Sequence, residues 1–364
     1  MTTSTRVTLN PHLRVIHTGE NEILVKESPR SLSSKVISDE TRSGLLGKLL
    51  RHLVSSAASL EELKQRGVLT DKEMEDAIEL TDYLQREGVI IDAEADPVLI
   101  YLDTLLKGNS NKLAASTIGI LGAGSLGSRI AIEVASLRPN QIIIQDDNKL
   151  KEPSIDKRYF PLSPTVIAAE KPCVNAVKEH LEQADYQAVV PINASVWDKA
   201  KVQTLFEQAD FVIVALDHFS SKTLHTANQA ALVSQKPWLS LWNDGAEGHI
   251  GPIYVPGQTG CYADMEAQQE AAARSIRNEY LIYKEALDDE QFQQWHITLP
   301  PYAQIAAGFA IMAFVHFMAT GRSFLVEHCL RMDFANPGWD FQKALKLPRC
   351  PACDADRPFR HLFL

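Results

Sequence analysis

The sequence has no excess of positive charge. Its 36 lysines and arginines face 46 aspartates and glutamates, for a formal charge of −10. That balance argues against nucleic acid or an anionic membrane as the main partner. The opening residues, Met1 to Asn10, have no apolar core, so no signal peptide is read there. Cysteine is scarce: five residues, two of them in Cys350-Pro-Ala-Cys353, point to a cytoplasmic protein with a metal site and not to a disulfide framework. The best candidate membrane stretch, Ile305 to Met318, is short and carries His316, so it reads as a buried helix. What remains is an ordinary globular balance, 45% hydrophobic and 23% charged, in 364 residues. Such a chain is long enough for two domains with full cores.

The most informative stretch is Thr117 to Gly127, T-I-G-I-L-G-A-G-S-L-G. Ile118 to Leu121 is a short apolar run that ends at a glycine, as a buried strand does. Gly122, Gly124 and Gly127 then hold the three places of a G-x-G-x-x-G loop. Leu126, Ile130, Val134 and Leu137 follow at helical spacing. A strand, a glycine loop and a helix in this order make a phosphate site, because the helix N-terminus offers N–H groups and positive dipole to an anion. This predicts a nucleotide without saying which one.

Before the loop, Leu13 to His17, Glu22 to Lys26 and Ser34 to Ile37 read as strands. Three helical patterns follow, at Glu40 to Val54, Ser59 to Gln65 and Asp71 to Glu87. Ser59 and Glu62 form a capping box, and Val89 to Ile91 reads as a returning strand. The result is a small winged-helix-like α+β module over residues 1–95. It holds 12 basic against 16 acidic residues, so it lacks a footprint for nucleic-acid phosphates. Addition of an extended peptide to a sheet edge fits better, and a packing or dimerisation appendage stands beside it. The polar stretch Asp92 to Pro97 marks the boundary, with a second domain over 96–364 and a short helix at Val98 to Leu106.

After the glycine-loop helix, Gln141 to Gln145 is a second strand ending at Asp146. An acid about 20 residues past the glycines suits ribose hydroxyls. Lys157, Arg158 and Lys171 follow, and cations close behind a ribose acid suit a triphosphate better than a nicotinamide. A solvated charged loop is the plainer alternative. Phe211 to Leu216 reads as a central parallel strand and ends in Asp217. In an open α/β sheet, Asp146 and Asp217 should therefore face one crevice, where Asp217 suits Mg²⁺. A helix N-cap for the stretch from Ser220 is the alternative for Asp217, and both can hold.

The loop Gly122 to Gly127, Asp146, Lys157-Arg158, Lys171, Asp217 and Gly260-Cys261-Tyr262 paired with Cys350-Pro-Ala-Cys353 resemble the ubiquitin-activating-enzyme superfamily. They are most similar to its bacterial ThiF/MoeB-type adenylyltransferases. The run Gly251 to Tyr262 and the N-terminal module resemble the peptide-modifying members of microcin C and pantocin A biosynthesis, in which that module recognises a precursor peptide. The resemblance implies a Rossmann-like domain with a mostly parallel sheet, and a homodimer. It implies that Gly122, Gly124, Ser125 and Gly127 hold ATP phosphates and that Asp146 and Asn148 serve the ribose end. By the same resemblance Lys157, Arg158 and Lys171 meet phosphate and Asp217 holds Mg²⁺. Several positions depart from the family. Ser125 stands for a glycine, Asn148 for an aspartate, Ser154 for an asparagine, Lys157 for an arginine and Arg158 for a glutamine.

The family's structural zinc site uses two C-x-x-C pairs. Here the first pair reads Cys261-Tyr-Ala-Asp264, so the resemblance implies either a site of Cys261, Asp264, Cys350 and Cys353 or a site without zinc. Cys173 and Cys329 read as core. No cysteine lies between Tyr262 and Cys329, which argues against ubiquitin-like thioester transfer. Met265 to Trp295 resembles the crossover segment over the family's active site. His218, His249 and His296 are further candidate bases without an assigned role.

The implied activity is ATP-dependent modification of a ribosomally made precursor peptide in peptide-antibiotic biosynthesis. A carboxyl group, by the pantocin-type resemblance a Glu side chain, would be adenylated for condensation within the peptide. Three alternatives stand beside it: microcin-type adenylation at a C-terminal Asn, a non-catalytic peptide-binding scaffold, and an NAD-dependent oxidoreductase.

Overall fold

A computed structural model describes residues 4–106, 110–273, 276–288 and 298–354. The chain divides into two compact units, Met1–Ser110 and Asn111–Leu364. The helix expected near Val98 therefore falls in the first unit.

The first unit begins with β1 (Val7–Leu9), β2 (Arg14–Gly19), β3 (Glu22–Lys26) and β4 (Ser34–Ser38). It continues through α1 (Leu45–Ser55), α2 (Leu60–Gln65), a 3₁₀ turn, α3 (Met74–Arg86), β5 (Ile90–Asp92) and α4 (Pro97–Leu106). Strands β2, β3 and β4 form an antiparallel meander, and β1 pairs antiparallel with β5. Helix α1 starts later than its apolar pattern suggests. Asp39 Oδ1 accepts from Thr41 N–H and Oγ while Oδ2 accepts from Ser43 Oγ, tying residues 39–43 into a turn. Gly44, at φ 76°, then delivers the chain to Leu45. The leucines of α1 at positions 45, 46, 49, 50 and 53 are buried against Ile23, Val25, Ala77 and Leu84. The capping box is formed: Ser59 Oγ accepts from Glu62 N–H, and Glu62 accepts from Ser59 N–H.

The second unit takes in all of α5 (Ser110–Ala114) but its first residue. In order it contains β6 (Thr117–Leu121), α6 (Ser125–Ser136), β7 (Gln141–Gln145), α7 (Pro153–Tyr159), α8 (Cys173–Gln183) and β8 (Val189–Ile192). Then come α9 (Lys199–Gln208), β9 (Phe211–Leu216), α10 (Ser221–Ser234), β10 (Trp238–Asp244) and β11 (Glu247–Tyr254). The last elements are α11 (Tyr262–Ala272), α12 (Arg277–Asp288), α13 (Pro300–Thr320), β12 (His328–Asp333) and β13 (Gly338–Lys343). One eight-stranded sheet runs in the order β13-β12-β11-β10-β9-β6-β7-β8. The pairs from β10 to β8 are parallel, and β11, β12 and β13 add antiparallel strands.

Strand β9 is buried along its whole length, as its unbroken apolar sequence requires. Helix α13 is apolar all round and packs against α6, β10 and β11. Its alanines at 303, 306, 307, 310 and 313 are buried, so small residues bring it close to the sheet. By length and composition alone α13 passes as a membrane span. Its packing on the sheet makes it a core helix.

Candidate active site

The chain leaves β6 for β7 and β8 on one side and returns to β9 and β10 on the other. That reversal opens a crevice at the carboxyl ends of β6 and β9, where open α/β sheets bind ligands. Gly122 turns there at φ 107°, and a Cβ on it would lie 2.1 Å from the Ala215 carbonyl oxygen. Only glycine fits that turn. A Cβ on Gly127 would meet the Gly122 oxygen at 2.0 Å, so α6 is packed directly onto the turn.

Asp217 and Asp146 hold the loop from two sides. Asp217 Oδ2 accepts from Ser125 N–H and Oδ1 from Leu126 N–H, both at 2.7 Å. Its carboxylate therefore sits on the N-terminus of α6, where the helix dipole favours an anion. Asp146 is buried. Its Oδ2 accepts from Ala123 N–H at 2.6 Å and its Oδ1 from Asn148 N–H at 2.8 Å. Burial raises the Asp146 carboxyl above its ordinary value, and these backbone donors oppose that shift. The N-cap alternative for Asp217 is thus realised on a different helix from the one expected. Ser220 caps α10 instead, accepting from Thr223 N–H.

Both acids face one cavity of about 230 Å³, lined also by Gly122, Gly124, Ser125 and Asn148. Thr298 lines it too, and its buried hydroxyl has no partner among the described residues. Ser125 Oγ donates to the Tyr159 carbonyl, and Arg129 donates to Ser125 Oγ and its carbonyl. This chain of bonds ties α6 to α7 at the cavity wall.

The cations are arranged differently from the expectation. Lys157 and Arg158 are exposed in the last turn of α7, and neither belongs to the cavity lining. Lys171 lies outside the lining as well and pairs with Glu179 on α8. The lysines that line the cavity are Lys149 and Lys151, immediately after β7. Trp197 also lines it, with Lys222 Nζ 4.4 Å from its ring centroid. The sequence signal for these residues is their place just past the strand ends, where ligand contacts collect. Buried Arg129 has the signal of lying one helical turn beyond Ser125. His218 lines the cavity, His249 lies elsewhere, and His296 and Trp295 fall outside the described residues.

Cys261, Asp264, Cys350 and Cys353 come together with their ligand atoms all within 4.8 Å of one another. Three are buried and Cys353 is half-buried. Cys261 Sγ lies 3.6 Å from Cys350 Sγ, and Cys353 Sγ donates to Asp264 Oδ2 at 3.4 Å. Burial raises the thiols of Cys261 and Cys353. A bound cation would reverse that preference, and three sulfurs with one carboxylate suit tetrahedral zinc. Cys173 and Cys329 are buried, as expected of core thiols.

A glycine loop at the switch point of a mostly parallel sheet, flanked by two acids at strand ends, defines a nucleotide-binding α/β protein. The ThiF family matches residues 99–352, and the chain belongs to that family. The whole fold is shared with solved structures at low identity. E. coli MccB with ATP is 17% identical with a TM-score of 0.61, covering 96% of this chain and 99% of that one. The microcin C7 biosynthetic enzyme MccB in complex with N-formylated MccA gives 17% and 0.60 over the same shares. PaaA gives 17% and 0.57, covering 78% of this chain and 95% of that one. No curated protein matches the sequence.

Proposed function

We propose that the protein is an ATP-dependent adenylyltransferase that activates a carboxyl group of a ribosomally made precursor peptide. The observation that carries this reading is the meeting of Gly122, Asp146 and Asp217 at one cavity at the sheet's switch point. Family membership supports ATP use, as do the related folds solved with ATP and with the peptide MccA. A carboxylate oxygen of the peptide attacks the α-phosphorus of ATP. The bond to the β-phosphate oxygen breaks, pyrophosphate leaves, and a nucleophile then displaces AMP from the acyl adenylate. Lys149 and Lys151 at the cavity, with Lys157, Arg158 and Lys171 from the flanking segments, offset charge on the phosphates. Asp217 would hold Mg²⁺, which would supply positive charge to the phosphate oxygens, and Asp146 would hold the ribose end beside Asn148.

The first unit, centred on residues 1–95, binds the precursor through an edge of its three-stranded sheet. β4 supports this: no strand pairs its outer side among the described residues, and Val36 is 61% exposed there. The chain forms a homodimer through the face that carries exposed Ile305 and Met312 on α13 and Trp339 and Phe341 on β13. Zinc at Cys261, Asp264, Cys350 and Cys353 is structural. A reducing cytoplasm suits five free cysteines.

The activated group is a Glu side chain or a C-terminal Asn. The Asn reading gains from the wider coverage of this chain by MccB than by PaaA. Pyrophosphate release, measured with Mg-ATP and candidate precursor peptides that contain Glu or end in Asn, tests the function. Release that depends on the peptide, with water loss or a nucleotide adduct in its mass spectrum, is expected. Tight peptide binding without release would make the protein a scaffold.

A further inference from the structure

A second cavity of about 800 Å³ lies in the same unit, walled by α11, α12 and the ends of β10 and β11. One short segment separates it from the first. Leu216, Asp217 and His218 line the nucleotide cavity, and the next residue, Phe219, lines the second. Trp242, the register partner of Leu216 on β10, continues that wall. Phe219 meets Trp242 edge-on at 5.1 Å between centroids, and Trp242 stacks on His249 at 3.8 Å. Tyr280 and Tyr283 from α12 complete an aromatic surround.

The charged groups of this lining answer one another. Arg331 makes a bidentate pair with Glu247, and His249 Nε2 lies 3.7 Å from the same carboxylate. Asp244 accepts from the Tyr283 hydroxyl. Lys284 pairs with Glu266 at 2.6 Å and Glu270 at 3.0 Å, and Lys343 lies 3.7 Å from Glu327. A charged ligand that broke the largely buried Lys284 pairs would do so at a cost, whereas the Arg331–Glu247 and Lys343–Glu327 pairs are 40% or more exposed and add only a weak barrier. A flat neutral group would replace water along aromatic walls, which is favourable.

We propose that this cavity is a side-chain subsite for the substrate peptide, holding one neutral aromatic or large aliphatic residue close in sequence to the group activated in the first cavity. The subsite rests on the reading of that first cavity as the nucleotide site. It makes the side chain beside the reacting group a determinant of substrate choice, separate from recognition by the first unit.

The test uses saturation-transfer NMR on the full chain, with N-acetyl-tryptophanamide and N-acetyl-phenylalaninamide as probes. N-acetyl-argininamide and N-acetyl-aspartamide are the charged comparisons. Ala272 and Ile276 are exposed residues of the lining, so Ala272→Trp and Ile276→Trp each fill the cavity from the solvent side. Signal from the aromatic probes with the wild type, its loss in both filled variants, and no signal from the charged probes is expected. Equal aromatic signal in wild type and filled variants, equal signal from charged probes, or no aromatic signal at all would overturn the subsite. A thermal shift with Mg-ATP is read in parallel. Failure of that shift in the wild type would overturn the nucleotide reading and leave the probe result standing by itself.

Discussion

Gly124 and Asp217 are in contact across the switch point: a Cβ on Gly124 would lie 2.2 Å from Asp217 Oδ2. The second glycine of the loop therefore leaves room for a carboxylate that holds the N-terminus of α6. Gly124→Ala pushes that carboxylate off Ser125 and Leu126. Overpacking at such a contact costs about 1–3 kcal/mol. A lower Tm together with weakened Mg-ATP binding is expected from calorimetry on the variant. Unchanged values of both would show that Asp217 relaxes without consequence.

Glu266 gathers α10, α11 and α12. It accepts from Ser221 Oγ, His225 Nε2 and the Tyr262 hydroxyl, and it pairs with Lys284. Burial by itself would raise its pKa, but the bonds from His225, Lys284 and Ser221 together bring it down to about 2. A folded value below the ordinary 4.5 gives stability that is complete above pH 4.5 and is lost as pH falls toward 2. Glu266→Gln removes a charge-assisted cluster and costs about 1–3 kcal/mol near neutrality. The Tm gap between wild type and variant should narrow below pH 4.5, and a gap constant with pH would contradict this.

At the cysteine cluster, metal analysis of the purified chain should find zinc bound. Asp264→Cys completes four thiolates and should slow zinc release to a chelator, while Cys350→Ser should lose the metal and lower the Tm. A wild-type chain that binds no zinc on reconstitution would make the cluster a packed core feature.

In the first unit, Ser59→Ala removes the side-chain half of the capping box on α2. A loss of about 1 kcal/mol is expected in denaturant unfolding monitored on that unit. Peptide binding at the β4 edge should persist, because Ser59 does not belong to that strand.

The glycine loop, Asp146 and Asp217 were legible because each is an apolar strand run stopped by a turn residue or an acid, a local pattern. The capping box at Ser59 was legible for the same reason. Strand β1 was not, since Val7–Leu9 is three residues long and gains its structure by pairing with β5 some eighty positions later and by the bridge of Val7 to Ala58. The start of α1 was missed because the Asp39 turn competes with the helix over residues 40–44. Lys149 and Lys151 belong to no motif, and only the sheet's geometry brings them to the cavity. The wall shared by Phe219 and Trp242 joins residues from two strand ends and carries no motif. The partners of Asp217 were ambiguous in sequence, because a strand-end acid serves a neighbouring helix as readily as its own.

The nucleotide itself is the most direct test. Isothermal titration of the full chain with a magnesium-bound, non-hydrolysable ATP analogue, and separately with NADH, reads the first cavity without any peptide. Saturable binding of the ATP analogue, weakened in Lys171→Ala and Asp217→Asn, with no heat from NADH, is the predicted result. Binding of NADH without the ATP analogue would contradict the assignment.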